Sequence, residues 1–227
     1  MPDTPDFASI AALVGDPTRA TILTVLMDGR AHTATELALE AGVTPSTASS
    51  HLSRLTAGGL LAIAKQGRHR YFRIPAPEIA AAIEGLMNIA PRGDSSGRRP
   101  GPADELLRRA RVCYDHLAGE AAVRLLEGLR QADVIRGGDD GMLLTDAGEA
   151  WCARVGIDLG ALRARRRGLC RSCLDWSERR SHLAGALGAA LLERLLALRY
   201  ARREPGSRAV VLAPRGESFV ARPELAP

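Results

Sequence analysis

A chain of 227 residues, 46% apolar and 25% charged, is long enough for two modest hydrophobic cores and too apolar to be a disordered or fibrous protein. No apolar run approaches the ~20 residues of a membrane-crossing helix, and the opening MPDTPDF lacks the profile of a secretory signal, so the cytoplasm is the expected compartment and a membrane partner is not expected. The formal charge of +5 is uneven: residues 1–91 hold seven Lys/Arg against eight Asp/Glu (net −1), and residues 92–227 hold 24 against 18 (net +6).

Asp16-Pro17 marks a helix start, because the aspartate caps free N–H groups and a proline is tolerated at the first helical position. Ile22, Leu23, Val25 and Leu26 give that helix a buried side, and Gly29 ends it. Thr33-Ala34-Thr35-Glu36 is a capping box for a second short helix, stopped by Gly42. Thr44-Pro45 repeats the cap-plus-proline start and opens a third helix from Pro45 to about Ala57. Two short helices around a tight glycine turn predict a helix-turn-helix.

In the third helix Val43, Ala48, Leu52 and Leu55 suit a core, whereas Thr44, Ser46, Thr47, Ser49, Ser50, His51 and Arg54 are hydrogen-bonding groups. Such a face suits the donors and acceptors of a major groove, although by itself it reads more readily as a solvated surface. The hairpin pattern after this helix favours DNA. Residues 60–64 and 70–74 alternate around Gln66-Gly67-Arg68-His69, a turn whose basic tip (Lys65, Arg68, His69, Arg70) can sit on phosphates or in the minor groove.

With these elements the chain resembles the ArsR/SmtB family of winged-helix regulators, through IAALVGDPTRATILTVL (10–26), TELALEAGVTPSTASSHLSRLTAGGLL (35–61) and GRHRYFRI (67–74). The resemblance implies a homodimer joined near 7–15 and 77–90. It also implies repression at an inverted-repeat operator on double-stranded DNA until an effector releases the protein. The two familiar metal sites of that family are missing. Where one would place cysteines, this chain has Glu36-Leu37-Ala38-Leu39-Glu40; where the other would place Asp and His, it has PEIAAAIEGLMNIA (77–90), with Glu78 and Glu84 but no His or Cys.

Residues 91–104, PRGDSSGRRPGPAD, read as a linker. Beyond them the pattern repeats. Cys113-Tyr114-Asp115-His116-Leu-Ala-Gly119 is echoed by Cys173-Leu174-Asp175 and then His182-Leu-Ala-Gly185. Each HLAG precedes an amphipathic helix, a turn, a short strand and a Gly-Glu pair (Gly148-Glu149, Gly216-Glu217), so an internal duplication with halves near 105–156 and 170–221 is expected.

Cys113, Asp115, His116, Cys173, Asp175 and His182 could hold a thiophilic metal ion such as Zn or Cd. On a helix, Cys113 and His116 share a face at i, i+3, but Cys173 and His182 are nine residues apart and fall on opposite faces. A shared site would therefore need a helix break near 176–181. The plainer alternatives are cysteines packed as small apolar groups with locally bonded histidines, or a pocket for an organic effector. Cys170-Arg-Ser-Cys173 is weak as a redox motif, although Arg165, Arg166, Arg167 and Arg171 nearby keep thiol-based oxidant sensing open.

The expected fold is mainly α with small β-wings (α+β): a winged helix-turn-helix domain over 1–90 and a helical, duplicated domain over 105–227. The expected function is an effector-released transcriptional regulator, not an enzyme. The alternatives are an effector-free architectural DNA-binding module and a thiol oxidoreductase fused to a DNA-binding head.

Overall fold

The structure is a computed structural model that describes residues 6–67, 69–90, 102, 104–138 and 141–225. The chain divides into two compact units, Met1–Ile83 and Glu84–Pro227. The linker reading at 91–104 falls almost wholly outside the described residues, as does Arg68.

In the first unit the capping signals act as the sequence predicts. α1 (Phe7–Val14) is capped by Asp6, and α2 (Pro17–Leu26) by Asp16, whose carboxylate accepts the Arg19 N–H. A two-residue β1 (His32–Thr33) leads into α3 (Ala34–Glu40), where Thr33 and Glu36 form the reciprocal capping box. α4 (Pro45–Ala57) is capped by Thr44, and Gly42, at φ +64°, makes the turn between α3 and α4 that a side chain would strain. β2 (Ala62–Gln66) and β3 (His69–Arg73) form the wing, with sheet order β1-β3-β2 and Lys65 opposite Arg70. Ile22, Leu23, Leu26, Leu37, Ala48, Leu52 and Leu55 make the core. α5 (Pro77–Ile89) begins in this unit and ends in the next.

The second unit runs through one element order twice. The first pass is α6 (Glu105–Arg109), β4 (Arg111–Cys113), β5 (His116–Ala118), α7 (Glu120–Gln131), β6 (Ile135–Arg136), β7 (Leu143–Leu144) and α8 (Asp146–Val155). The second is α9 (Leu159–Arg163), β8 (Arg171–Leu174), β9 (Ser181–Ala184), α10 (Gly185–Ala197), β10 (Ala201–Arg203), β11 (Val210–Leu212) and α11 (Pro214–Ala221), closed by a 3₁₀ turn at Pro223–Leu225. Buried positions Ala121, Ala122, Leu125, Leu126 and Leu129 stripe one side of α7, as helical periodicity requires. They join Leu183, Leu187, Leu191, Leu192, Trp151 and Phe219 in one core shared by both passes. Ion pairs cross reciprocally: Glu149 of α8 meets Arg163 of α9, and Glu217 of α11 meets Arg109 of α6.

The helical placement of Cys113/His116 and Cys173/His182 is corrected here. Both pairs lie on antiparallel hairpins, Cys113 opposite His116 in β4–β5 and Cys173 opposite His182 in β8–β9. The first hairpin turns through Tyr114 at φ +56°, a conformation a non-glycine residue rarely adopts and no glycine advertises. Directly opposed residues face the same side of a hairpin, so each pair presents a thiol and an imidazole together. The glycine of each HLAG serves as the strand-to-helix joint. Gly119 takes φ +89° and ψ −173°, and a Cβ there would lie 2.6 Å from the Arg108 carbonyl oxygen; at Gly185 it would lie 2.6 Å from that of Leu169. Among the described residues no helix is long and apolar enough to cross a membrane.

Candidate functional site

Two arrangements in the chain carry chemistry, one in each unit. In the first, α4 buries Ala48, Leu52 and Leu55 and leaves Ser46, Thr47, Ser49, Ser50 and Arg54 exposed along the rest of its surface. Thr44 is committed to the cap: its Oγ1 accepts the Thr47 N–H at 3.3 Å and lies 3.0 Å from Ser46 Oγ. His51 is half-buried, with Nδ1 3.6 Å from Asp16 Oδ1 and 3.5 Å from Arg19 Nη1. It ties α4 to the start of α2 rather than joining the exposed face. On the wing Lys65, His69 and Arg70 are exposed, and the facing Lys65 and Arg70 set two like charges across the strands. That placement weakens a hairpin unless an anion lies against it.

In the second unit the two hairpins bring four of the six singled-out residues together. One ligand-type atom from each of Cys113, His116, Cys173 and His182 lies within 4.8 Å of every other. The Sγ atoms are 4.0 Å apart and the Nε2 atoms 3.1 Å apart. Cys113, His116 and His182 are buried, and Cys173 is half-buried. The Cys113–Cys173 contact pushes the Cys113 thiol well above its usual range, with burial adding to the rise, and lowers that of Cys173.

The two aspartates stand one step back. Asp115 Oδ1 is 3.2 Å from His116 Nδ1, and its carboxylate is also held by Arg167. Asp175 Oδ2 is 3.9 Å from His182 Nδ1, and that nitrogen is buried without a hydrogen-bond partner. Asp175 accepts from the N–H of Gly119 (2.7 Å), the N–H of Ser177 (2.9 Å) and the Ser177 hydroxyl (2.6 Å), and pairs with Arg111 Nη2 at 2.9 Å. Burial alone would raise its carboxyl; Arg111, Ser177 and Gly119 outweigh burial and hold it far below the usual carboxylate range.

Behind Asp175 stands a group that the sequence does not single out. Arg111 is 1% exposed, and its guanidinium also meets Glu84 Oε1 at 3.5 Å and Ser177 Oγ at 3.1 Å and lies 5.4 Å over the Trp176 ring. The one available signal was the repeated Arg-x-Cys of Arg111-Val112-Cys113 and Arg171-Ser172-Cys173. It does not say which arginine is buried.

The geometry does not bring Cys170 and Cys173 together as a redox pair. Cys173 faces Cys113 rather than Cys170, and burial pushes the Cys170 thiol up to about 11, opposite to what a reactive thiolate needs. The apolar space between Leu117, Leu125, Leu183 and Leu191, beside the cluster, amounts to about 10 Å³; hollows of about 460 Å³ beside Leu196, Arg199 and Leu212 and about 290 Å³ beside Gly156, Leu162 and Arg194 are lined by none of the four clustered residues.

A helix-turn-helix domain model matches residues 14–64. Over 213 residues the chain is 40% identical to the uncharacterized HTH-type transcriptional regulator YdfF of Bacillus subtilis (strain 168), covering 94% of either chain. Over 82 residues it is 33% identical to the HTH-type transcriptional regulator CmtR of Mycobacterium tuberculosis (strain ATCC 25618 / H37Rv), covering 36% of this chain and 69% of that one. The NMR structure of the cadmium metal-sensor CMTR from Mycobacterium tuberculosis aligns with 31% identity and a TM-score of 0.33, over 40% of this chain and 97% of that one.

Proposed function

The chain belongs to the ArsR family of HTH-type transcriptional regulators, which are DNA-binding proteins, and from that premise we propose a homodimeric repressor that an effector releases from an inverted-repeat operator. The observation that carries the reading is the exposed polar face of α4 beside a wing with two facing cations. α4 enters the major groove, where Ser46, Thr47, Ser49, Ser50 and Arg54 meet base edges and the adjoining backbone. Thr44 and His51 act one step removed, holding the helix end and its seat on α2. Lys65, His69 and Arg70 lie on the flanking phosphates, and Arg68, next to His69 in sequence, adds a fourth basic group to that stretch. Two-fold symmetry sets the half-sites about 10 base pairs apart, or a multiple of that. The second unit, a duplicated one on this reading, is the regulatory part and has no catalytic role.

Dimerisation draws support from α1, which buries none of its eight residues and leaves Phe7 74% exposed. Phe7→Glu combined with Ile10→Glu is expected to give a monomer in sedimentation equilibrium and to abolish operator binding. A dimer that survives both changes would place the interface elsewhere.

The DNA-reading assignment is tested by fluorescence anisotropy on the gene's own upstream duplex and on random DNA. Arg54→Ala is expected to cost about 1–3 kcal/mol on the operator and little on random sequence, as loss of a base contact does. Arg70→Ala should weaken both and reduce the slope of log K against log salt by about one. Equal losses on both duplexes for Arg54→Ala would remove it from the base readers.

A further inference from the structure

We propose that the second unit holds one thiophilic divalent ion, Zn(II) by preference, between the Sγ atoms of Cys113 and Cys173 and the Nε2 atoms of His116 and His182. The donor distances fit. Zn–S bonds of about 2.3 Å and Zn–N bonds of about 2.0–2.1 Å set the edges of a tetrahedron at about 3.8 Å between sulfurs and about 3.3 Å between nitrogens. The corresponding separations here are 4.0 and 3.1 Å, so closing around an ion needs shifts of only a few tenths of an ångström.

Charge and surroundings point the same way. Two thiolates and a divalent ion sum to zero, so the ligated cluster places no net charge among groups as buried as His182, 1% exposed. Each thiol gives its proton to solvent as the metal–sulfur bond forms, and both imidazoles bind neutral through Nε2, which leaves the proton on Nδ1. Each Nδ1 then faces a carboxylate that is itself anchored: Asp115 by Arg167 for His116, Asp175 by Arg111 for His182. Histidine ligands are oriented by such carboxylates in metal sites. In a metal-free packing scheme His182 Nδ1 stays buried and unbonded, a standing penalty that ligation relieves by fixing the tautomer that donates toward Asp175.

The four ligands fill the coordination shell and leave no position for water, so the ion is structural rather than catalytic. One Cys–His pair comes from each pass of the repeated element order, and the ion therefore clasps the two halves of the unit across 173 − 113 = 60 and 182 − 116 = 66 positions of chain. Neither family metal site sought in the sequence overlaps these positions.

The test uses the full-length reduced protein. Metal analysis should find one zinc per chain. After removal by chelator, Co(II) titration should saturate at one equivalent with the intense visible bands of a tetrahedral ion and thiolate-to-cobalt charge transfer. Cys173→Ser and His182→Asn should lose that spectrum, while Cys152→Ser, at a buried cysteine outside the cluster, should keep it. Because a ligand variant can misfold, the metal-free wild type provides the independent measurement: restoring Zn(II) in excess should raise its Tm by about 10 °C. A wild type that binds no Co(II) tetrahedrally, or a spectrum that survives Cys173→Ser, overturns the site.

Discussion

Arg111→Met is expected to destabilise the second unit by about 3–5 kcal/mol, because it takes the paired cation from the buried Asp175 carboxylate and leaves Glu84 only Arg208, at 3.5 Å, as a cationic partner. Methionine keeps most of the stem's volume, so the loss isolates charge rather than packing. Both tryptophans of the chain, Trp151 and Trp176, belong to this unit, so tryptophan fluorescence during urea unfolding reports on it alone. Adding Asp175→Asn to Arg111→Met should recover part of the loss by removing one stranded charge. The exposed Arg136–Asp133 pair is the control, and Arg136→Ala should leave the midpoint where it was. An unchanged midpoint in Arg111→Met would mean that desolvation of the buried trio already cancels its attraction.

Gly119→Ala should cost about 2–6 kcal/mol by the same measurement. The backbone there, φ +89° and ψ −173°, lies in a region open essentially to glycine alone, worth about 1–3 kcal/mol of strain. The new Cβ would also stand 2.6 Å from one backbone carbonyl oxygen and 3.2 Å from the next, an overpacking of about 1–3 kcal/mol. Gly206 is the comparison for the clash. Its φ is +68° but nothing lies within 4 Å of a Cβ there, so Gly206→Ala should carry conformational strain without the clash and cost clearly less. Equal costs at the two positions would refute the clash.

The first unit was legible because its signals are local. Asp16-Pro17, Thr33 with Glu36 and Thr44-Pro45 are caps, and a cap acts within one turn of helix whatever the tertiary context. The second unit was legible in composition and misread in geometry. The repeated Cys, Asp and His picked out the residues that the fold gathers, but strands of three and four residues are too short to show a period of two. Cys113 and His116 at i, i+3 fit a helix face as well as the two strands of a tight hairpin. The bend at Tyr114 that decides between them is marked only by Asp115, with no glycine or asparagine at the left-handed position itself. Arg111 was hidden differently: it is one of 31 Lys/Arg, and only the arrival of Asp175 and Glu84 from distant sequence makes it an interior residue.

The split of the cluster between two hairpins sets a schedule during synthesis. The first hairpin is finished at Ala118 and its counterpart at Ala184, 184 − 118 = 66 residues later. At about 5–20 residues per second a ribosome needs roughly 3–13 s to make that stretch. For that interval Cys113 and His116 wait without their counterparts. A newborn chain thus carries one thiol–imidazole pair for that long before the second hairpin arrives, and slow translation through residues 119–184 would lengthen the wait.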